Sequence, residues 1–248
     1  LMGAVVILMF LAAWELLGRL ELVNPLFTSS PTRVVLAGIA LLRDGTLIAH
    51  LTVSAREFAL GYAAALVVGV PAGIMLGWFK LANASFGPII SAFYATPRVA
   101  LMPLFIIWFG LGITSKVVVV LLSAVFPLIV NMQSGMGTID ADLVRVARSY
   151  GASRWQIFRS IALPASLPFL ITGLRLAAGR ALLGVIVAEV FGGSQGIGYL
   201  IQYAGATFQT DKVFAGVVVV ATAGIIMDRG LHRVGRHFDK WRGETAVG

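Results

Sequence analysis

Five charged side chains interrupt stretches that are otherwise apolar: Glu15, Arg98, Arg175, Arg180 and Glu189. A guanidinium pairs bidentately with planar or tetrahedral oxyanions, so the three arginines point to attraction of an anion such as a sulfonate, nitrate or carboxylate. Charges at membrane depth face the protein interior or water. For Arg175, close after Pro164 in the chain, a brace on the neighbouring polar segment outweighs a solute contact. For Arg98 and Arg180 the two roles stand even. Arg180 and Glu189 lie about 13 Å apart along a helix, too far for a direct pair.

Other chemistries are poorly served. The chain has no cysteine, and its three histidines, His50, His232 and His237, show no ligand spacing. Thiol catalysis and thiolate–metal sites are excluded, and no cluster of nucleophile and base supports a membrane enzyme. No Gly-x-x-x-x-Gly-Lys-Ser/Thr loop occurs, so the chain is not itself a P-loop ATPase. Gly192 to Gly198 is glycine-rich, but it follows an apolar stretch rather than a strand. A turn feeding a short helix fits better than a phosphate cradle. Glu15 and Glu189 sit near the ends of apolar stretches, a weak basis for proton coupling.

The elements that must position these groups are dictated by composition. Of 248 residues, 58% are hydrophobic and 12% charged, with mean hydropathy +0.92. Soluble domains run at about 45–50% and 25%. The solvent for most of the chain is therefore lipid. Six spans are expected: Met2 to Leu17, Phe58 to Phe79, Pro88 to Gly110, Val117 to Gly135, Ala165 to Phe191 and Val213 to Leu231. The first lacks the basic start and cleavage site of a signal peptide. Between spans one and two, Ser30-Pro31-Thr32 reads as a helix start. It opens a short amphipathic helix closed by Arg43-Asp44-Gly45. Residues 1–248 form one membrane domain.

With the N-terminus inside, the inner segments hold ten basic residues against six outside. That bias places both termini in the cytoplasm. The densest cluster, Arg229 to Arg242 in the tail 229–248, reads as a topology anchor, with lipid binding the lesser alternative. The net charge of +8 is thus not a nucleic-acid signature.

Gly61, Ala65, Gly69, Gly73 and Gly77 recur every fourth residue, which lets another helix approach closely. Packing within the chain is favoured over a seam between copies. Pro71, Pro97, Pro103, Pro127 and Pro168 bend or break helices, whether as fixed kinks or where a bundle rocks.

Residues 137–164 form the one long polar stretch on the cytoplasmic side. Asp140 and Asp142 suit a helix start. Leu143, Val146, Ala147 and Tyr150 then make one apolar stripe with Arg145 and Arg148 on its rim. Gly151 ends this helix. Ser153 and Gln156 form a capping box for a second. Its stripe is Trp155, Phe158, Ile161 and Ala162, and Pro164 is expected to stop it. A basic helix–turn–helix between two spans cannot present itself to DNA. Aromatic side chains with a basic rim fit docking to a soluble protein.

Gly151, Ile161, Leu163 and Pro164, with Ala147, resemble the EAA signature of permease subunits of ABC importers; Arg145 and Val146 replace its first Glu and Ala. Pro97 to Gly112, Gly173-Leu174-Arg175, Ala188-Glu189, Gly196-Ile197-Gly198 and Asn24-Pro25-Leu26-Phe27 are similar to the nitrate/sulfonate/taurine type of that family. The resemblance covers nearly the whole chain. It implies an all-α integral membrane domain of the type I ABC importer fold, with about six transmembrane helices and a cytoplasmic coupling helix. It implies a bacterial inner membrane location and a homodimer of permeases. Two ATP-binding cassette subunits would carry ATP and magnesium, and a periplasmic or lipid-anchored binding protein would deliver the solute. The chain itself would hold no cofactor. Ala147, Gly151, Ala152, Trp155, Phe158, Ile161, Leu163, Pro164, Arg145 and Arg148 would then contact the ATPase. Arg98, Arg175, Arg180, Glu189, Pro97 and Pro103 would be candidates for the translocation pathway, with Glu189 facing a periplasmic gate or the binding protein. A stand-alone secondary transporter or channel for a small anion is the alternative, but no good coupling-ion site supports it.

Overall fold

The computed structural model describes residues 2–20, 24 and 26–238. Glu21, Pro25, Lys240 and Arg242, which belong to the expected first loop, the resemblance and the tail, lie outside the described residues. Eleven α-helices occur in order among the described residues: α1 Met2–Arg19, α2 Pro31–Arg43, α3 Thr46–Trp78, α4 Lys80–Ala95, α5 Met102–Phe109, α6 Ile113–Gly137, α7 Ala141–Ser149, α8 Arg154–Ile157, α9 Leu163–Gly192, α10 Ile197–Ala206 and α11 Thr210–Phe238. A 3-10 turn, Arg98–Leu101, precedes α5, and a π-turn, Phe158–Ala162, joins α8 to α9.

Five of these segments are long and apolar enough to cross a membrane: α1, α3, α6, α11 and the run Arg154–Gly192. The expected third span is not one helix. Thr96 is extended (φ −69°, ψ 133°), as the ring of Pro97 requires of the residue before it. Pro103 then sits in the first turn of α5, where an absent N–H costs nothing. The two prolines therefore split residues 80–109 into α4, a 3-10 turn and α5. The second span is longer than hydropathy alone indicates. α3 starts at Thr46, not Phe58, because Ser54 and Glu57 are buried on the face that Gly61 and Ala65 continue.

α3 and α6 are the centre of the bundle and run parallel. A Cβ on Gly61 would lie 2.5 Å from Val120 Cβ, on Gly69 3.0 Å from Leu128 Cβ, and on Gly73 2.5 Å from Met132 Cβ. The glycine stripe thus seats α3 on α6 within the chain. α9 packs antiparallel on the other side of α6, with Gly135 against Phe169 and Gly184 against Ser123. Ala65, Val120, Ala124, Leu128, Ala177, Ala181 and Val185 form the core between them. α2 behaves as its pattern predicts: Ser30 caps it, Val34 and Leu41 are buried, and Val35, Leu36 and Leu42 are exposed. Val34 and Leu41 belong to an apolar cluster with Leu47 of α3, Ile197 and Leu200 of α10 and Ala215 of α11.

Candidate functional site

Two ends of this bundle carry the polar features. At one end, α7 and α8 make an elbow. Asp140 caps α7 through the Asp142 N–H. Gly151 takes φ +81°, a left-handed conformation that glycine adopts without a Cβ penalty. The Ser153–Gln156 capping box is formed in both directions. Leu143, Val146, Tyr150 and Trp155 are exposed, Tyr150 to 88%. Arg145 pairs at the surface with Asp142 at 3.2 Å.

The stripe of the second helix differs from its expectation. Ile157 and Ala162 are its buried residues, Phe158 and Ile161 are half-buried, and Trp155 stays exposed. Phe158 packs edge-on to Trp78 of α3 and stacks on Trp155. Nor does Pro164 stop the helix. In the π-turn the Leu163 N–H reaches back five residues to the Phe158 carbonyl. That register shift takes up the donor missing at Pro164, and the chain runs on into α9. A groove of about 1050 Å³ opens between Trp78, Phe79 and Lys80 on one side and Val144, Arg148 and Trp155 on the other.

The intramembrane arginines part company. Arg175 is paired: its Nε and Nη2 donate to Asp228 Oδ1 of α11 at 3.0 and 2.8 Å. It braces two spans and is not held out to a solute. Arg98 donates to backbone carbonyls of Thr96 at 3.2 Å and Leu122 at 3.3 Å, and to that of Tyr94. Its guanidinium also lies over the rings of Tyr94 and Phe126. The Tyr94 and Thr96 carbonyls lie where α4 breaks before Pro97, and that of Leu122 ties the break to α6. Arg180 makes no side-chain hydrogen bond or ion pair among the described residues. It is exposed on α9, between exposed Leu176 and Leu183, and close enough to Arg98 for the two charges to act on each other.

Glu189 is fully buried at the end opposite the elbow. Its Oε1 accepts from the Ser54 hydroxyl at 2.5 Å and its Oε2 from the Gly198 N–H at 2.7 Å. Beside it, Lys116 Nζ donates to Glu57 Oε1 at 2.8 Å, both side chains buried. Sequence reasoning missed Ser54, Glu57 and Lys116 as a site. Their signal was there: Ser54 and Glu57 precede Gly61 at helical spacing, on the face of the glycine stripe.

The family is shown by the sequence. The chain belongs to the family described as "Binding-protein-dependent transport system inner membrane component", matched over residues 69–240. It is a permease subunit of an ABC importer and not an enzyme. Such a subunit works with ATPase and binding-protein partners. It is 36% identical to the putative aliphatic sulfonates transport permease protein SsuC of Bacillus subtilis (strain 168), over 94% of this chain and 84% of that protein. It is 33% identical to the taurine transport system permease protein TauC of Escherichia coli (strain K12), over 95% and 87%. Its fold matches that of the MetNI methionine ABC transporter in an inward-facing conformation, with TM-score 0.66 at 19% identity, over 81% of this chain and 97% of that one.

Proposed function

We propose that this permease carries a small solute bearing an anionic sulfonate group, such as taurine or an alkanesulfonate, past Arg180. One observation carries the assignment: an arginine on the exposed face of a spanning helix with no partner among the described residues. Lipid is a poor neighbour for such a charge, so that face lines water shared with a second copy of the chain. Arg98 stands near it and adds positive potential, while its own donors stay on carbonyls. The permeases for sulfonates and taurine at 33–36% identity support an anionic solute.

In this reading two copies form the pathway, and the elbow of α7 and α8 docks an ATPase subunit beneath each. Exposed Leu143, Val146, Tyr150 and Trp155 supply the apolar contact, with Arg145 and Arg148 on the rim. ATP and magnesium bind those partners, and a periplasmic binding protein delivers the solute at the end that holds Glu189. The basic residues Arg229, Arg233 and Arg236 then lie in the cytoplasm with both termini, close to anionic lipid headgroups. The test is uptake by the assembled transporter in proteoliposomes. Arg180→Met should lower uptake of both taurine and methanesulfonate at least tenfold while the complex still assembles. Unchanged anion uptake by Arg180→Met would overturn the assignment.

A further inference from the structure

The buried cluster at the end opposite the elbow has no part in attracting an anion to Arg180, yet it ties four segments together. Glu189 of α9 holds Ser54 of α3 and the N–H of Gly198. The Ser54 hydroxyl in turn accepts the Ile197 N–H at 2.8 Å, and His50 Nδ1 accepts the Gly196 N–H at 2.9 Å. The glycines of the α9–α10 turn are fitted to the carboxylate. Gly196 has φ +109°, and a Cβ there would collide with the Glu189 carboxyl group. Lys116 ties α6 to Glu57 on the same end of α3, with Glu57 Oε2 buried and unpartnered among the described residues.

We propose that Glu189 is a positioning residue for transport, which makes α10 and the turn before it one rigid body with α3 and α9. This rests on the reading that the α7 elbow receives the ATPase stroke. α7 follows α6 directly, and α6 is seated on α3 along the glycine stripe. Displacement of the elbow therefore travels along α3, α6 and α9. Apolar side chains can slide past one another, whereas pulling this cluster apart strands a carboxylate and three backbone donors out of water. The polar tie is what delivers the movement to the far end without slip.

The chain has no cysteine, so introduced cysteines are its only labelling sites when the partner subunits are also cysteine-free. Spin labels at Arg56→Cys and Gln195→Cys, both exposed positions, report the separation of α3 from the turn in the assembled transporter. Their distance should be the same without nucleotide and with ATP trapped. A shift of the distance peak on ATP binding would overturn the proposal. Ser54→Ala and Glu189→Gln should each broaden that distance. In proteoliposomes each should also raise the ATP hydrolysed per taurine imported by about tenfold, with hydrolysis itself little changed. Uptake and hydrolysis falling together would show a merely structural role and overturn it as well. The spin-label distances need no solute, so they stand if taurine is the wrong probe. That separate failure appears as no taurine uptake by the unsubstituted transporter.

Discussion

Lys116 and Glu57, 59 residues apart in sequence, meet at 2.8 Å in the interior, with 7% and 2% of their side chains exposed. A pair this deeply buried gains little over an apolar pair of the same volume, but removing one partner leaves a bare charge. Lys116→Met should therefore destabilise the permease by about 3–5 kcal/mol. Lys116→Met with Glu57→Leu should recover most of that loss. Thermal unfolding in detergent of the two singles and the double reads the cycle, and equal losses in single and double would refute it.

Gly73→Leu should split the seam between α3 and α6. A Cβ there lies 2.5 Å from Met132 Cβ and 2.8 Å from the Ile129 carbonyl oxygen, which is backbone and cannot move aside. The overpacking loss should be about 1–3 kcal/mol, seen as a lower midpoint of thermal unfolding. Gly38→Leu is the control. It meets nothing within 4 Å and should leave the midpoint where it was.

Gly151→Val places a β-branched residue at φ +81°, where an L side chain incurs about 1–2 kcal/mol of strain. The elbow between α7 and α8 should relax to another angle. Co-purification of the ATPase subunit should fall and uptake with it, while the spans stay folded. Full co-purification with normal uptake would remove the elbow from the docking role.

Arg175→Met and Arg180→Met should behave oppositely. Arg175 and Asp228 are partly exposed, at 39% and 56%, so their pair contributes about 0–1 kcal/mol. Anion uptake should then change little in Arg175→Met. In Arg180→Met the loss of the unpaired cation should lower anion uptake at least tenfold with the same amount of assembled complex. Parallel losses in both would refute the distinction between a brace at Arg175 and a solute contact at Arg180.

The sequence carried the spans, the α2 cap and the elbow because each rests on local chemistry. Ser30-Pro31, Gly151 and the Ser153–Gln156 box act within one turn of helix. Residues 80–109 broke where two prolines act together on an apolar run, which a hydropathy window averages away. Pro164 passed through its helix because the π-turn at Phe158–Ala162 supplied a register shift that no composition signals. The Glu189 site was legible only in part. Its carboxylate stands out in an apolar run, but Ser54 lies 135 residues away, and such a partner is set by how α3 packs beside α6 and α9.

The parallel seam also constrains how the chain can change length. From Gly61 to Gly77, each glycine of α3 faces the α6 residue about 59 positions later. One residue inserted within either helix would rotate the remainder of that helix by about 100° and set bulky side chains where glycines stood. Natural or engineered insertions are therefore excluded from both helices along the seam, while the length of the connection between Phe79 and Gly112 does not alter this register.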